Sequence, residues 1–169
     1  MRRFRSLLTV TAVGAIALAA CGSKSPSATT EATGSTVESG AKVVTIGVIS
    51  PQEAGLTDFG RGILHSVELA VQQANAANAV PGWTIKVVAL DDSSDPEKGK
   101  TAAATMIADE TVVGIVGPYN SGVSAAMLPS LSEAGLALVS PSNTLTSLTL
   151  GDDLANPKRQ YTNLSLIHI

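Results

Sequence analysis

Four short apolar runs, each closed by a polar or turn-forming corner, alternate with helical stretches along this chain. The runs are VVTIGVIS from Val43, TIKVVAL from Thr84, TVVGIV from Thr111 and LALVS from Leu136. The first is β-branched with no polar face, the pattern of a strand buried on both sides of a parallel sheet. Between the first and second runs, Ile63, Val67, Ala70, Val71, Ala74 and Ala77 recur at helical spacing within residues 60–78. A second helix is predicted from Asp95-Pro96, with the aspartate as N-cap and the proline at the first helical position. Val123, Met127, Leu131 and Ala134 stripe a third. Strands about 30 residues apart in the order βαβαβαβ require right-handed crossovers, a parallel sheet and helices on both faces.

This fold class directs attention to the strand ends, because ligands of open α/β sheets bind outside the carboxyl ends of the strands. After the first run comes Ser50-Pro51 and then QEAGLTDFG, which holds no G-x-G-x-x-G, and the chain has no G-x-x-x-x-G-K-[ST]. The usual backbone cradles for dinucleotides and nucleoside triphosphates are therefore missing. The second run ends in DDSSD, whose spacing does not fit an EF-hand loop; solvated strand-end carboxylates and a helix cap are expected, with no metal and no cofactor. The third ends in GPYNSG, Gly117 to Gly122, and the fourth in SPSNTLTSLT from Ser140. If the third and fourth strands are neighbours, two hydroxyl-rich loops meet. Ser121 at a helix start caps that helix or, with neighbouring N–H groups, holds an anion favoured by the helix dipole. Neither loop carries Lys or Arg, so a carboxylate suits the rim better than a phosphate.

Catalysis finds little support. The G-x-S-x-G elbow is absent, and the two histidines are His65, inside a helical pattern, and His168, near the end of the sequence. Ser121 has no convincing base, so the protein is expected not to be an enzyme. A net charge of −3 without a basic stripe, and 3% aromatic residues, argue against a nucleic-acid partner.

The first 21 residues stand apart from the fold. Arg2, Arg3 and Arg5 precede an apolar stretch from Leu7 to Ala20 that is shorter than the roughly 20 residues a membrane span needs. It ends in Leu18-Ala19-Ala20-Cys21-Gly22, which resembles the lipobox of bacterial lipoproteins, so residues 1–21 are expected to be a signal peptide with Cys21 lipidated. Arg2-Arg3 also raises a twin-arginine export route. Residues 22–42 are mostly Ser, Thr, Gly, Ala and charge, the composition of a flexible tether between anchor and domain.

The runs IGVISP, FGRGILHSVELAVQQANA, LDDSSDPEKGKTAAATMI, VVGIVGPYNSG and ALVSPSNT, in that order and spacing, resemble the leucine/isoleucine/valine-binding proteins. These are type I periplasmic substrate-binding components of ABC importers. The resemblance covers residues 43–163 and implies the amino-terminal lobe of a two-lobed α/β receptor that closes on an amino acid. It implies that Ser121 binds the ligand carboxylate and that Ser142 contributes mainly backbone. It also implies that Thr144 contacts the ligand's main-chain groups and that Phe59 flanks the site. Some members carry a disulfide at positions matching Ser94 and Asn120, neither of which is cysteine here. The family chain continues beyond YTN into a second lobe, whereas this sequence ends in LSLIHI. Residues 164–169 are therefore expected to be a non-native tail on a truncated chain whose second lobe is missing. The expected partners are an amino acid or related solute, the permease subunits and, through the lipid, the outer face of the cell membrane. A ligand-sensing domain of a receptor or regulator is the alternative.

Overall fold

The computed structural model of the chain describes Gly40 and residues 42–167. The expected signal peptide with Cys21, nearly all of the expected tether and the last two residues of the expected tail lie outside them. The elements are β1 (Lys42–Ser50), α1 (Thr57–Ala76), β2 (Trp83–Asp91), α2 (Pro96–Ala108), β3 (Val112–Val116), α3 (Ser121–Glu133), β4 (Ala137–Val139), α4 (Ser147–Leu150) and β5 (Leu164–Ser165). All strand pairs are parallel, in the order β2-β1-β3-β4-β5. The chain leaves β1 toward β2 on one side and then continues on the other side with β3. A topological switch point therefore lies between the carboxyl ends of β1 and β3.

The expected α/β architecture is present, with helices on both faces. Gly47 of β1 faces α2: a Cβ there would lie 2.9 Å from the Met106 sulfur and 3.2 Å from Ile115 Cγ1. On this face Ile49, Ala103, Met106, Ile115, Val123, Met127, Leu128, Leu131 and Leu138 form a continuous core, each at most 2% exposed. Helices α2 and α3 approach closely because Gly99 has no side chain; a Cβ there would come within 2.4 Å of Val123. The start of α2 is as expected, with Asp95 extended and its Oδ1 accepting from the N–H of Glu97 at 2.7 Å and of Lys98 at 3.0 Å.

The opposite face carries α1. Its predicted apolar stripe points at the sheet, yet Ile63, Val67, Val71 and Ala74 line an open groove of about 800 Å³ together with Ile46, Ile85 and Val116. Closure is complete only near the carboxyl end of β1. There Val48 and Ser50 are fully buried, the Ser50 hydroxyl donates to the Gly60 carbonyl at 3.0 Å, and Gly60 sits so close to Pro51 that a Cβ would overlap its carbonyl. The sheet also extends beyond residue 163, since Leu164 pairs with Leu138 and is buried in the core.

Candidate functional site

The β3 corner is shaped by a residue that only glycine can supply. Gly117 has φ +110°, and a Cβ on it would lie 1.9 Å from the Ile49 carbonyl oxygen. Its bareness lets the end of β3 lie against the end of β1, at the switch point. The Gly117–Pro118 peptide is cis, and the Gly117 N–H donates to the Val139 carbonyl at 2.9 Å. The chain then passes Tyr119 and Asn120 into α3.

The fourth strand end grips this corner, as expected if β3 and β4 are neighbours, which they are. The Ser140 hydroxyl donates to the Pro118 carbonyl at 2.8 Å and the Ser142 hydroxyl to the Tyr119 carbonyl at 2.9 Å. The Asn143 amide donates to both carbonyls. The Thr144 N–H reaches the Ser121 hydroxyl oxygen at 3.3 Å. Ser121, Ser142 and Thr144 are thus gathered on one rim. Because the Ser121 oxygen accepts there, its own O–H is left to donate elsewhere. The Ser142 hydroxyl hydrogen is committed to the Tyr119 carbonyl.

Ser121 is not a helix cap. It is the first residue of α3; the N-cap position belongs to Asn120, whose side chain makes no capping bond. The helix start consequently offers N–H groups without a side-chain cap, beside a serine hydroxyl. Unsatisfied donors and the positive end of the helix dipole favour an anion there.

Phe59, half exposed, reaches the site from α1, and its ring centroid lies 4.9 Å from that of Tyr119 at a 32° tilt. The two rings, with Pro141 and Ser142, line the groove beside α1. Tyr119 escaped the sequence reading. The available signal was its scarcity: two of only five aromatic residues flank the expected site.

The DDSSD corner needs a correction. Asp92 is not a solvated strand-end residue but fully buried. Its Oδ1 accepts from the Ser94 N–H at 2.8 Å, and its Oδ2 has no partner. Burial pushes its carboxyl above the ordinary value; the Ser94 amide partly offsets this and the Asp91 charge adds to it. Asp91 behaves oppositely. Burial raises it, but the Ser93 hydroxyl and the amides of Gln52, Ser93 and Glu53 together hold it below the usual range. Its carboxylate pins the loop after β1 to the end of β2, with the Gln52 N–H at 2.6 Å. Among the described residues no group of three or more His, Cys, Asp or Glu could hold a metal ion. His65 is exposed on α1.

Comparison with known proteins agrees with this fold. The periplasmic binding protein family matches residues 43–164. The Leu/Ile/Val-binding protein homolog 2 of Brucella abortus is 33% identical over 106 residues, 63% of this chain and 28% of that protein. The chemotactic signal transduction system substrate-binding protein BasB of Halobacterium salinarum is 34% identical over 83 residues, covering 49% of this chain and 20% of its own. Among solved structures, the branched-chain amino acid transporter substrate binding protein LivJ of Streptococcus pneumoniae, in complex with isoleucine, superposes with a TM-score of 0.64 at 30% identity. That superposition covers 74% of this chain and 33% of LivJ. The chain thus spans well under half the length of the proteins it matches.

Proposed function

This chain belongs to the periplasmic binding protein family, and from that premise we propose that it is part of a solute-binding lipoprotein of an ABC importer. It takes a branched-chain amino acid, or a related amino acid or amide, outside the cytoplasm and delivers it to the permease. The observation that carries this reading is the rim at the β1/β3 switch point. There the Ser121 hydroxyl, held from one side by the Thr144 N–H, is free to donate beside the uncapped start of α3. Ser121 binds the ligand carboxylate, Thr144 and the backbone at Ser142 hold its main-chain groups, and Phe59 with Tyr119 walls the site. The likeness to Leu/Ile/Val-binding proteins and to a transporter protein in complex with isoleucine supports that ligand class.

Hydrogen bonds to a charged group contribute roughly 1.5–3 kcal/mol, so Ser121→Ala is expected to weaken amino-acid binding by about one to two decades in calorimetry. Since Ser121 is not the cap, its melting temperature should hardly change. Unchanged affinity would remove Ser121 from the site. Anchoring through Cys21 predicts a diacylated mature terminus in mass spectrometry of the exported protein; an unmodified Cys21 contradicts it.

A second reading has one specific support: a relative is a substrate-binding protein of a chemotactic signal transduction system. The binding chemistry is then the same and the partner is a receptor. Purification from detergent-solubilised membranes separates the two by which partner co-elutes, permease or receptor.

A further inference from the structure

We propose that Asn143 is a positioning residue for this site, setting the geometry with which Ser121 and the start of α3 meet a ligand carboxylate. The proposal rests on the amino-acid-binding reading of the rim. Asn143 is fully buried, and its side chain has a partner for each of its polar groups. Its Nδ2 donates to the Tyr119 carbonyl at 2.9 Å and to the Pro118 carbonyl at 3.2 Å, while its Oδ1 accepts the Ser124 hydroxyl. Its own N–H donates to the Ser140 hydroxyl oxygen at 3.1 Å. One amide therefore ties the loop after β4 to the turn after β3 and to the first turn of α3.

The consequence falls on the next residue. With Asn143 fixed, the N–H of Thr144 is delivered to the Ser121 oxygen and occupies a lone pair on that side. The hydroxyl hydrogen is then directed to the opposite side, toward the open rim, in advance of any ligand. Binding sites gain affinity when such orientation precedes binding. No carboxylate can substitute for the amide: an aspartate has no N–H to offer two carbonyls and would place a charge against them. Serine and threonine lack the reach and the second donor. The requirement for two donors and one acceptor in a buried site is met by asparagine alone among side chains of this size.

The test uses Asn143→Asp in the complete gene product, with L-leucine as the probe, alone and combined with Ser121→Ala. Hydrogen exchange should accelerate at amides of residues 119–124, by roughly tenfold or more, while amides of β1 and β3 keep their protection. Leucine affinity should fall at least about tenfold in the parent protein but less than about threefold in the Ser121→Ala background, because the two residues act as a unit. Asn143→Leu, uncharged and with the same branching at Cγ, replaces the aspartate variant if that fails to fold, with the same expectations. Unchanged exchange in 119–124, or affinity losses that multiply in full, would overturn the proposal. A parent protein that binds no amino acid contradicts the binding reading instead, and the exchange measurement then decides by itself whether Asn143 holds the turn.

Discussion

Alternate residues of the same strands meet two different surroundings. Toward α2 and α3, Ile49 and Ile115 are packed with Met106, Met127 and Leu131 in a sealed core, none more than 2% exposed. Toward α1, Ile46 and Val116 border an open groove, and Val139, which alternates with the buried Leu138, is 48% exposed. The contrast is not uniform along the strands. At the carboxyl end of β1 the α1 face closes as well, with Val48, Ser50 and Gly60 buried. Dense packing is thus concentrated on the α2/α3 face and at the end of β1, next to the rim where Ser121, Ser142 and Thr144 meet. The remaining α1 face is apolar without being sealed.

Truncations on the two faces should differ most in their cost. Met127→Ala and Leu131→Ala remove side chains from a filled core and should each cost about 2–5 kcal/mol in chemical denaturation. Val139→Ala on the other face should cost under about 0.5 kcal/mol, because its side chain is already half in solvent. Equal losses at Leu131 and Val139 would show the two faces to be packed alike.

A smaller effect is expected at Asp92, where burial at the second strand end leaves one carboxylate oxygen without a partner. A carboxyl raised above its ordinary 3.8 on folding binds its proton more tightly in the folded chain. Protonation therefore favours folding, and the group's stabilising contribution is lost as pH rises from the ordinary carboxylate range through the raised value. Asp92→Asn keeps an acceptor for the Ser94 amide and removes the buried charge. It should match the parent or exceed it by on the order of 1 kcal/mol near neutral pH, with the advantage shrinking in acid. A variant less stable at neutral pH than in acid, relative to the parent, would contradict the burial assigned to Asp92.

Much of this was legible from local pattern. Strand positions followed from β-branched runs, the start of α2 from Asp95-Pro96, and the meeting of the two hydroxyl-rich loops from the expectation that β3 and β4 pair. What escaped depends on tertiary approach. Ser121 reads as a cap because serine favours that position, but the chain enters α3 one residue earlier and gives the cap position to Asn120. Asp92 reads as solvated because it lies in a run of carboxylates, yet the turn through Ser93 and Ser94 folds it inward. A two-residue strand such as β5 has no period to detect; only its pairing with β4 defines it. The groove beside α1 was invisible for the same reason: helical spacing says which residues face a core, not whether that core closes.

If the GPYNSG corner receives the carboxylate of an amino acid, titrating the full-length protein with L-leucine and with L-leucinamide under identical conditions should separate the two ligands. The two ligands share a side chain and an ammonium group and differ in the charge at the carboxyl position. Saturable binding of leucine, with leucinamide weaker by at least about tenfold, is the predicted result. Equal affinity for the two would contradict it.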